Sequence, residues 1–478
     1  MDNITPLTTV SVILPPPVSD EQESIKTAIE ELHPVTAAER IKTIDVIRGV
    51  ALLGILLMNI PGFGISWGHM FATFRGPHDA DYYTNAVIST FFEGTMRGLF
   101  SMLFGAGMIL FTMNKIERPG GVTVAELYYR RLLWLVLFGV INAYVLLWFG
   151  DILFFYGLCG MVLYPFRKTA AKWLFFLGFL LMASGMLKQA IGYNETRQQR
   201  KDYLAAVAVQ KSGKKLNAEQ QQAIENWSRI ERRGPDPAYN AYNVSQMRSD
   251  YGTVFTYMIQ RNSSMEAWGM SQWGFYDCIG FMLIGMALFR LGFFSNRLST
   301  GNYALGLLVG YGIGIPISYL MFSKGLMTSV SSGAYVDRYS MDHYLLYDIK
   351  RVFLSLGHAS LVMLVFRSRI VPWLMKALAN VGQMAFTNYL MQSVICTLFF
   401  YGYGLAFYDK LKFHELYYVV AGVWVFQIIF SVIWLHYFRF GPLEWLWRSL
   451  TYWKKQPMSK SEQRLMQQET ANTQVIIH

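Results

Sequence analysis

Charged and amide side chains are sparse in this sequence, and the informative ones interrupt apolar runs. RIKTIDVIRGVALLGILLMNIPGF, residues 40–63, carries Asp45, Arg48 and Asn59. On a helix advancing about 100° per residue, these three fall within roughly 60° of one another. They form a polar stripe that is expensive against lipid, so it faces the bundle interior or a water-filled cavity. An Asp45–Arg48 ion pair at the membrane interface is the simpler alternative. FFEGTMRGLFSMLFGAGM, residues 91–108, repeats the theme. Glu93, Arg97 and Ser101 recur at every fourth position of one helix face, which predicts a Glu93–Arg97 pair that walls a cavity or locks helices together. Gly94, Gly98, Gly105 and Gly107 permit close helix contact.

Proton transfer needs a group that titrates near neutral pH, and histidine is the natural one. His69 and His78 lie in the short connection between the first two apolar runs, His78 within RGPHDAD at 75–81. His358 shares a helix face with Arg351 and is either an intramembrane proton acceptor or a packing histidine. Asp151 follows Trp148-Phe149-Gly150, where a carboxylate caps the helix that continues through Tyr156. Trp273, Tyr276 and Asp277 cluster on a further run. Asn388 and Gln392 stand one turn apart in GQMAFTNYLMQSVIC, where amides bind a polar substrate or join helices. Cys159, Cys278 and Cys396 are far apart and form no metal or redox pattern, so they read as buried small hydrophobes and no metal is expected.

These groups have to be positioned by membrane helices. Of 478 residues, 53% are hydrophobic and 15% charged, a composition that points to a polytopic membrane protein. The expected fold is all-α, a transmembrane helix bundle of about ten spans, each needing about 20 apolar residues. They are placed at 44–62, 85–112, 132–149, 151–166, 173–190, 268–290, 302–321, 349–366, 383–402 and 416–437. Residues 1–39, with Pro15-Pro16-Pro17, read as a cytosolic tail with no cleavable leader. The first transmembrane section covers 40–190 and the second 251–437. Between them, 191–250 reads as a polar external insertion in which Asn217 and Gln220 start a helix and Gly234-Pro235-Asp236-Pro237 ends it.

Residues 438–478 hold an interfacial helix, FRFGPLEWLWRSLTYWKK, followed by a cytosolic tail. Pro442 suits its first turn, and Glu444 and Arg448 are spaced to pair. The net charge of +11 is unevenly placed: Arg40, Arg130, Arg131, Arg167, Arg290, Arg367 and Arg439 fall in every other connection. That bias puts both termini in the cytoplasm and makes the charge a topology and lipid-surface feature, with no nucleic-acid partner.

HExxH, GxSxG, GxGxxG and Walker-type loops are missing, which disfavours a metalloprotease, an ordinary lipase or a self-contained ATPase. RIKTIDVIRGVALLGILLMN at 40–59, LFSMLFGAG at 99–107, GQMAFTNYLMQS at 382–393 and FRFGPLEWLWR at 438–448 resemble the DUF418 family of bacterial inner-membrane proteins. The likeness runs over nearly all of 40–455. The first motif also resembles broader membrane acyltransferases, including the heparan-alpha-glucosaminide N-acetyltransferases. This resemblance implies transfer of an acyl group from cytosolic acyl-CoA to a small-molecule or glycan-like acceptor presented externally. It also implies a catalytic histidine between the first two spans, for which His78 is the nearest position and His69 the competitor. Description of the family as transport proteins supplies a rival.

In the enzyme reading His78, or His69 or His358 in its place, takes the acceptor's proton as it attacks the thioester. Arg97 or Asn388 stabilises the developing oxygen charge, Arg48 attracts the CoA phosphates, and Asp45 and Glu93 orient their arginines. Asn59, Ser101, Asp151, Asp277, Arg351 and Gln392 complete the expected lining of the passage. In the transport reading Asp45, Glu93, Arg97, Asp277 and His358 serve as solute or proton sites. A membrane-embedded interaction protein is the third class. The first two readings assume that the embedded polar groups converge on one hydrated cleft.

Overall fold

Apolar runs bounded by Gly, Pro and basic residues fold as helices in a computed structural model that describes residues 41–75, 78–113, 121–231 and 236–462. The bundle is built around α1 (Lys42–Gly64). Of its most apolar window 72% is buried, against 17% for α7 (Ala171–Lys211), so α1 is the hub and α7 lies at the lipid-facing periphery. A short α2 (Trp67–Arg75) leads to α3 (Ala80–Phe91) and α4 (Thr95–Met113). Next come α5 (Gly121–Tyr144) and α6 (Leu153–Leu163), an antiparallel pair joined by a tight turn. After α7 the chain forms α8 (Ala218–Glu231), α9 (Pro237–Met247) and α10 (Tyr251–Gly269). A wide π-turn stretch, Met270–Ile279, then runs into α11 (Gly280–Arg290). The second half comprises α12 (Thr300–Val330), α13 (Ser332–Arg338), α14 (Tyr347–Ser368) and α15 (Pro372–Gln383), then α16 (Ala385–Phe400), α17 (Leu416–Tyr437) and α18 (Pro442–Tyr452).

Six segments among the described residues are long and apolar enough to cross a membrane, not the ten expected. They are α1, α3–α4, α7, α12, His343–Ser368 and α17. The other four apolar runs fold differently. Residues 132–149 share α5 with Glu126, Arg130 and Arg131, and 151–166 hold only the 11-residue α6 and a 3-10 turn. Residues 268–290 are divided at the π-turn stretch, and 383–402 fold as the 16-residue α16. Apolar content averaged along a window registers neither where a helix stops nor the charges that share it, so these four runs read as spans.

Close helix approach depends on glycine at the α4–α11 crossing. A Cβ on Gly105 would meet the backbone of Met282, and one on Gly285 the backbone of Met102. The polar insertion is helical. Beyond its apolar part α7 continues unbroken to Lys211, and α8 folds back on it. Asn217 and Gln220 cap α8 reciprocally, Asn217 N donating to Gln220 Oε1 at 3.0 Å and Gln220 N to Asn217 Oδ1 at 2.8 Å. Trp227 is buried with Tyr193, Tyr335 and Val336, and Arg200 holds Asp337 at 2.6 Å, so the lobe is fastened to the segment before α14. The expected tails at 1–39 and beyond 462 lie outside the described residues.

Candidate functional site

The polar groups form several sites rather than one. The largest lies where α3 gives way to α4. Gly94 adopts φ +71°, a left-handed conformation that interrupts the helix between Phe91 and Thr95. Glu93 and Arg97 therefore do not share a helix face, and the expected Glu93–Arg97 pair is replaced by two others. Lys350 Nζ holds Glu93 Oε2 at 3.1 Å, and Arg97 Nη2 holds Asp277 Oδ2 at 2.5 Å. Arg351 completes the group: Nη1 meets Asp277 Oδ1 at 2.8 Å and Asp348 Oδ1 at 3.1 Å, and Nε donates to the carbonyl of Gly94 at 3.0 Å. The break thus frees a carbonyl that Arg351 satisfies.

Three carboxylates, Glu93, Asp277 and Asp348, balance three cations, Arg97, Lys350 and Arg351. Such balance is what a low-dielectric interior requires of buried charge. Lys350 and Arg351 side chains are 0% exposed, but Arg97 keeps 26% and Glu93 31% accessible, so these two face open space. Asp277 comes from the π-turn stretch, a helix irregularity often found at functional sites. Ser101 Oγ donates to the Arg97 carbonyl at 2.9 Å and lies 2.6 Å from Tyr156 Oη, which ties α6 to the network.

The second site is a cleft of about 190 Å³ at the end of the bundle where α1 begins. Arg48, Arg131 and Arg448 stand among its lining residues with Trp447, Phe100 and Phe104, and Tyr156 links it to the network. Arg48 holds Asp45 at 2.9 Å, the interfacial pair that spacing allowed. The Arg131 guanidinium lies over the rings of Trp447 at 4.1 Å and Phe111 at 5.2 Å. The expected Glu444–Arg448 pair is replaced. Glu444 caps α16, accepting from Phe386 N at 2.7 Å, Thr387 N at 3.1 Å and Thr387 Oγ1 at 2.6 Å, while Arg448 lies over Phe440 at 4.3 Å. The free amides at the start of α16 need an acceptor, and Glu444 supplies it. Thus α18 is a wall of the cleft as well as an amphipathic helix.

The third site lies at the opposite end, beside the lobe. His69 Nδ1 is 3.1 Å from Asp409 Oδ1, which also accepts from Ser66 N and Ser66 Oγ at 3.0 Å. The hydrogen bond to Asp409 raises the His69 pKa above the ordinary value, with a further push from Asp81 and against the effect of burial. Burial pushes Asp409 up, but bonds from His69 and Ser66 outweigh it and hold the carboxyl below its usual range. A second pair adjoins it, His414 Nδ1 at 2.6 Å from Asp81 Oδ1. His414 escaped the sequence reading because it lies in the loop before α17, far along the chain from His69. His78, the nearer expected position, is exposed and stacks on Tyr82 at 4.1 Å.

His358 is a packing histidine: Nδ1 lies 2.7 Å from Tyr311 Oη and Nε2 2.8 Å from the Phe91 carbonyl, so both nitrogens are occupied. Asn388 and Gln392 join helices and stand apart from the network. Asn388 Nδ2 donates to Ser431 Oγ at 3.0 Å and the Val381 carbonyl at 3.2 Å, and Gln392 Nε2 donates to Gln427 Oε1 at 3.1 Å. Asp151 starts α6, accepting from Phe154 N and Asn142 Nδ2, each at 2.8 Å. Asn59 is half-buried near the far end of α1, about 16 Å along the axis from Arg48 at 1.5 Å per residue. Convergence of all these groups on one cleft is therefore not what the fold produces.

A multi-pass helix bundle with a balanced charge network inside it is the architecture of a polytopic membrane protein. The chain belongs to the DUF418 family, described as proteins of unknown function, whose sequence profile matches residues 288–454. It is 33% identical over 428 residues to the uncharacterized protein YeiB of Escherichia coli, covering 86% of this chain and 96% of that one. It is 30% identical over 455 residues to the uncharacterized protein YxaH of Bacillus subtilis, covering 90% and 99%. An uncharacterized 39.9 kDa protein from the amylase 3′ region of Bacillus acidopullulyticus is 26% identical over 432 residues, covering 89% and 98%. No solved structure matches the chain. It is a multi-pass bacterial membrane protein.

Proposed function

We propose that the chain is a membrane acyltransferase that draws an acyl thioester from the cytosol and passes the acyl group to an acceptor on the external side. The observation that carries this reading is the cleft: three arginines at one end of the bundle stand among aromatic side chains, and Tyr156 links it to the charge network. Arginines of that kind suit the phosphates of acyl-CoA, and the apolar lining suits its linear arm. In this reading the cleft, with its three arginines, faces the cytosol and the lobe lies outside.

His69 is the preferred base, in place of His78. Its Nδ1 is held by Asp409, which leaves Nε2 for a substrate proton. With the phosphates at Arg48, the arm has to span about 24 Å of α1, from Arg48 to Gly64 at 1.5 Å per residue, to bring the thioester to His69, where the acceptor hydroxyl or amine gives its proton to Nε2 and bonds to the thioester carbonyl. The C–S bond breaks, and the thiolate leaves as free thiol once protonated. Release of free thiol from acetyl-CoA and a longer acyl-CoA, by protein purified in native lipid, tests the reading. His69→Ala is expected to lower turnover at least 100-fold, in line with about 10²–10⁴-fold for a general base, while His78→Ala leaves it unchanged. Equal turnover in wild type and His69→Ala removes His69 from the role.

The charge network supports a second reading, transport of a small polar or anionic solute, because accessible Arg97 and Glu93 lie among buried charges within spans. Solute accumulation in proteoliposomes without thioester consumption would favour it.

A further inference from the structure

Between α7 and α14 the bundle leaves a groove of about 300 Å³, floored by α4 and α11. Phe175, Phe179 and Met186 of α7 face Phe353 of α14 across it, with Leu288 of α11 near one end and Asp348 near the other. The walls are almost wholly apolar, and Asp348, ion-paired to Arg351, is the one charged residue among them. Apolar cavities of this kind stay dry, so water does not fill the groove. Both bounding helices lie within spans, and Phe176, Leu180 and Leu187 on α7 are exposed toward the bilayer. The molecule available to the groove is therefore a lipid. Its α14 wall, from Asp348 to Leu356, rises about 12 Å at 1.5 Å per residue, which matches much of one acyl chain.

We infer that the groove is a binding site for one acyl chain of a bilayer lipid, lying along the membrane normal with its polar end at Asp348. The lipid enters laterally between α7 and α14, and its polar end adjoins the charge network through the Asp348–Arg351 pair. The inference uses the fold and the groove alone and stands whether the protein transfers acyl groups or transports solutes.

Full-length protein in proteoliposomes with a phospholipid carrying a diazirine in its acyl chain tests the site, with adducts mapped by mass spectrometry. Labelling of Met186 and Phe353 is expected several-fold above that of the outward-facing Leu187. Ala183→Trp, placed on the groove wall at an exposed position, is expected to abolish that excess, whereas Leu187→Trp on the outer face is expected to preserve it. Even labelling of groove and outer face in the wild type would overturn the proposal. So would an excess that survives Ala183→Trp, or one that Leu187→Trp removes equally.

Discussion

Asp277 answers two guanidinium groups, those of Arg97 and Arg351, from a helix segment that is wider than an α-helix. Asp277→Asn leaves an uncompensated positive charge in the bundle, which is expected to destabilise the protein by about 3–5 kcal/mol. The double variant Asp277→Asn/Arg97→Gln restores the balance and is expected to recover part of that loss, read as the apparent melting temperature in one detergent. At the lobe end the sign of the pH effect follows from His69. Its pKa is raised on folding, so the His69–Asp409 contact contributes fully below the ordinary histidine value. That contribution is lost as pH rises through the raised value. Asp409, held low, contributes above the ordinary carboxyl value and loses its part only as pH falls through its lowered one. Melting temperature measured between about pH 5 and pH 9 is expected to decline less steeply in Asp409→Asn than in the wild type. Of the candidate residues, Arg97, Asp277 and Arg351 were legible as costly charge in apolar runs. The remaining members of the network, Lys350 and Asp348, were not, because they sit near the start of a span and read as ordinary boundary charge.

Helix α14 and the α3–α4 break show what periodicity can and cannot carry. The expected bounds of α1, α14 and α17 lie within a few residues of the helices, whereas α7 runs 21 residues and α12 nine residues past the expected ends; the caps of α8 were read from residue type alone. Gly94 was read as a packing residue, although its use is conformational. A fourfold spacing of polar residues describes one face only while the helix continues, and a single left-handed residue ends that relation. Gly94→Ala imposes a Cβ on a positive φ and directs it at Tyr347 and Arg351, so it is expected to cost more than the roughly 1–2 kcal/mol of an ordinary left-handed alanine. The same thermal assay checks this, and Gly107→Ala, whose Cβ meets nothing within 4 Å, serves as the neutral comparison. Glu444 teaches the converse lesson. Its best local partner, Arg448, lost to the amides of α16, which are 57 residues or more away in the chain.

Across the whole molecule, the six long apolar segments enclose shorter buried helices, and the polar sites are distributed along the axis of α1. Arginines stand at its start, the charge network in the middle, and two His–Asp pairs beyond its far end. Composition was enough to read an all-α membrane bundle, since 53% hydrophobic residues with 15% charged admit few alternatives. The cleft was not legible, because its walls come from α1, α4, α5, α6, α15, α16 and α18, and no single run of sequence displays them together. The central claim is that this cleft holds a phosphate-bearing thioester donor. It is tested most directly by a density map of the full-length protein in lipid with a non-hydrolysable acyl-CoA analogue. Phosphate density among Arg48, Arg131 and Arg448, with the arm running past Phe104 and Tyr156 toward the His69 end of the bundle, is the expected result. A cleft that stays empty or holds only bilayer lipid at saturating analogue would contradict it.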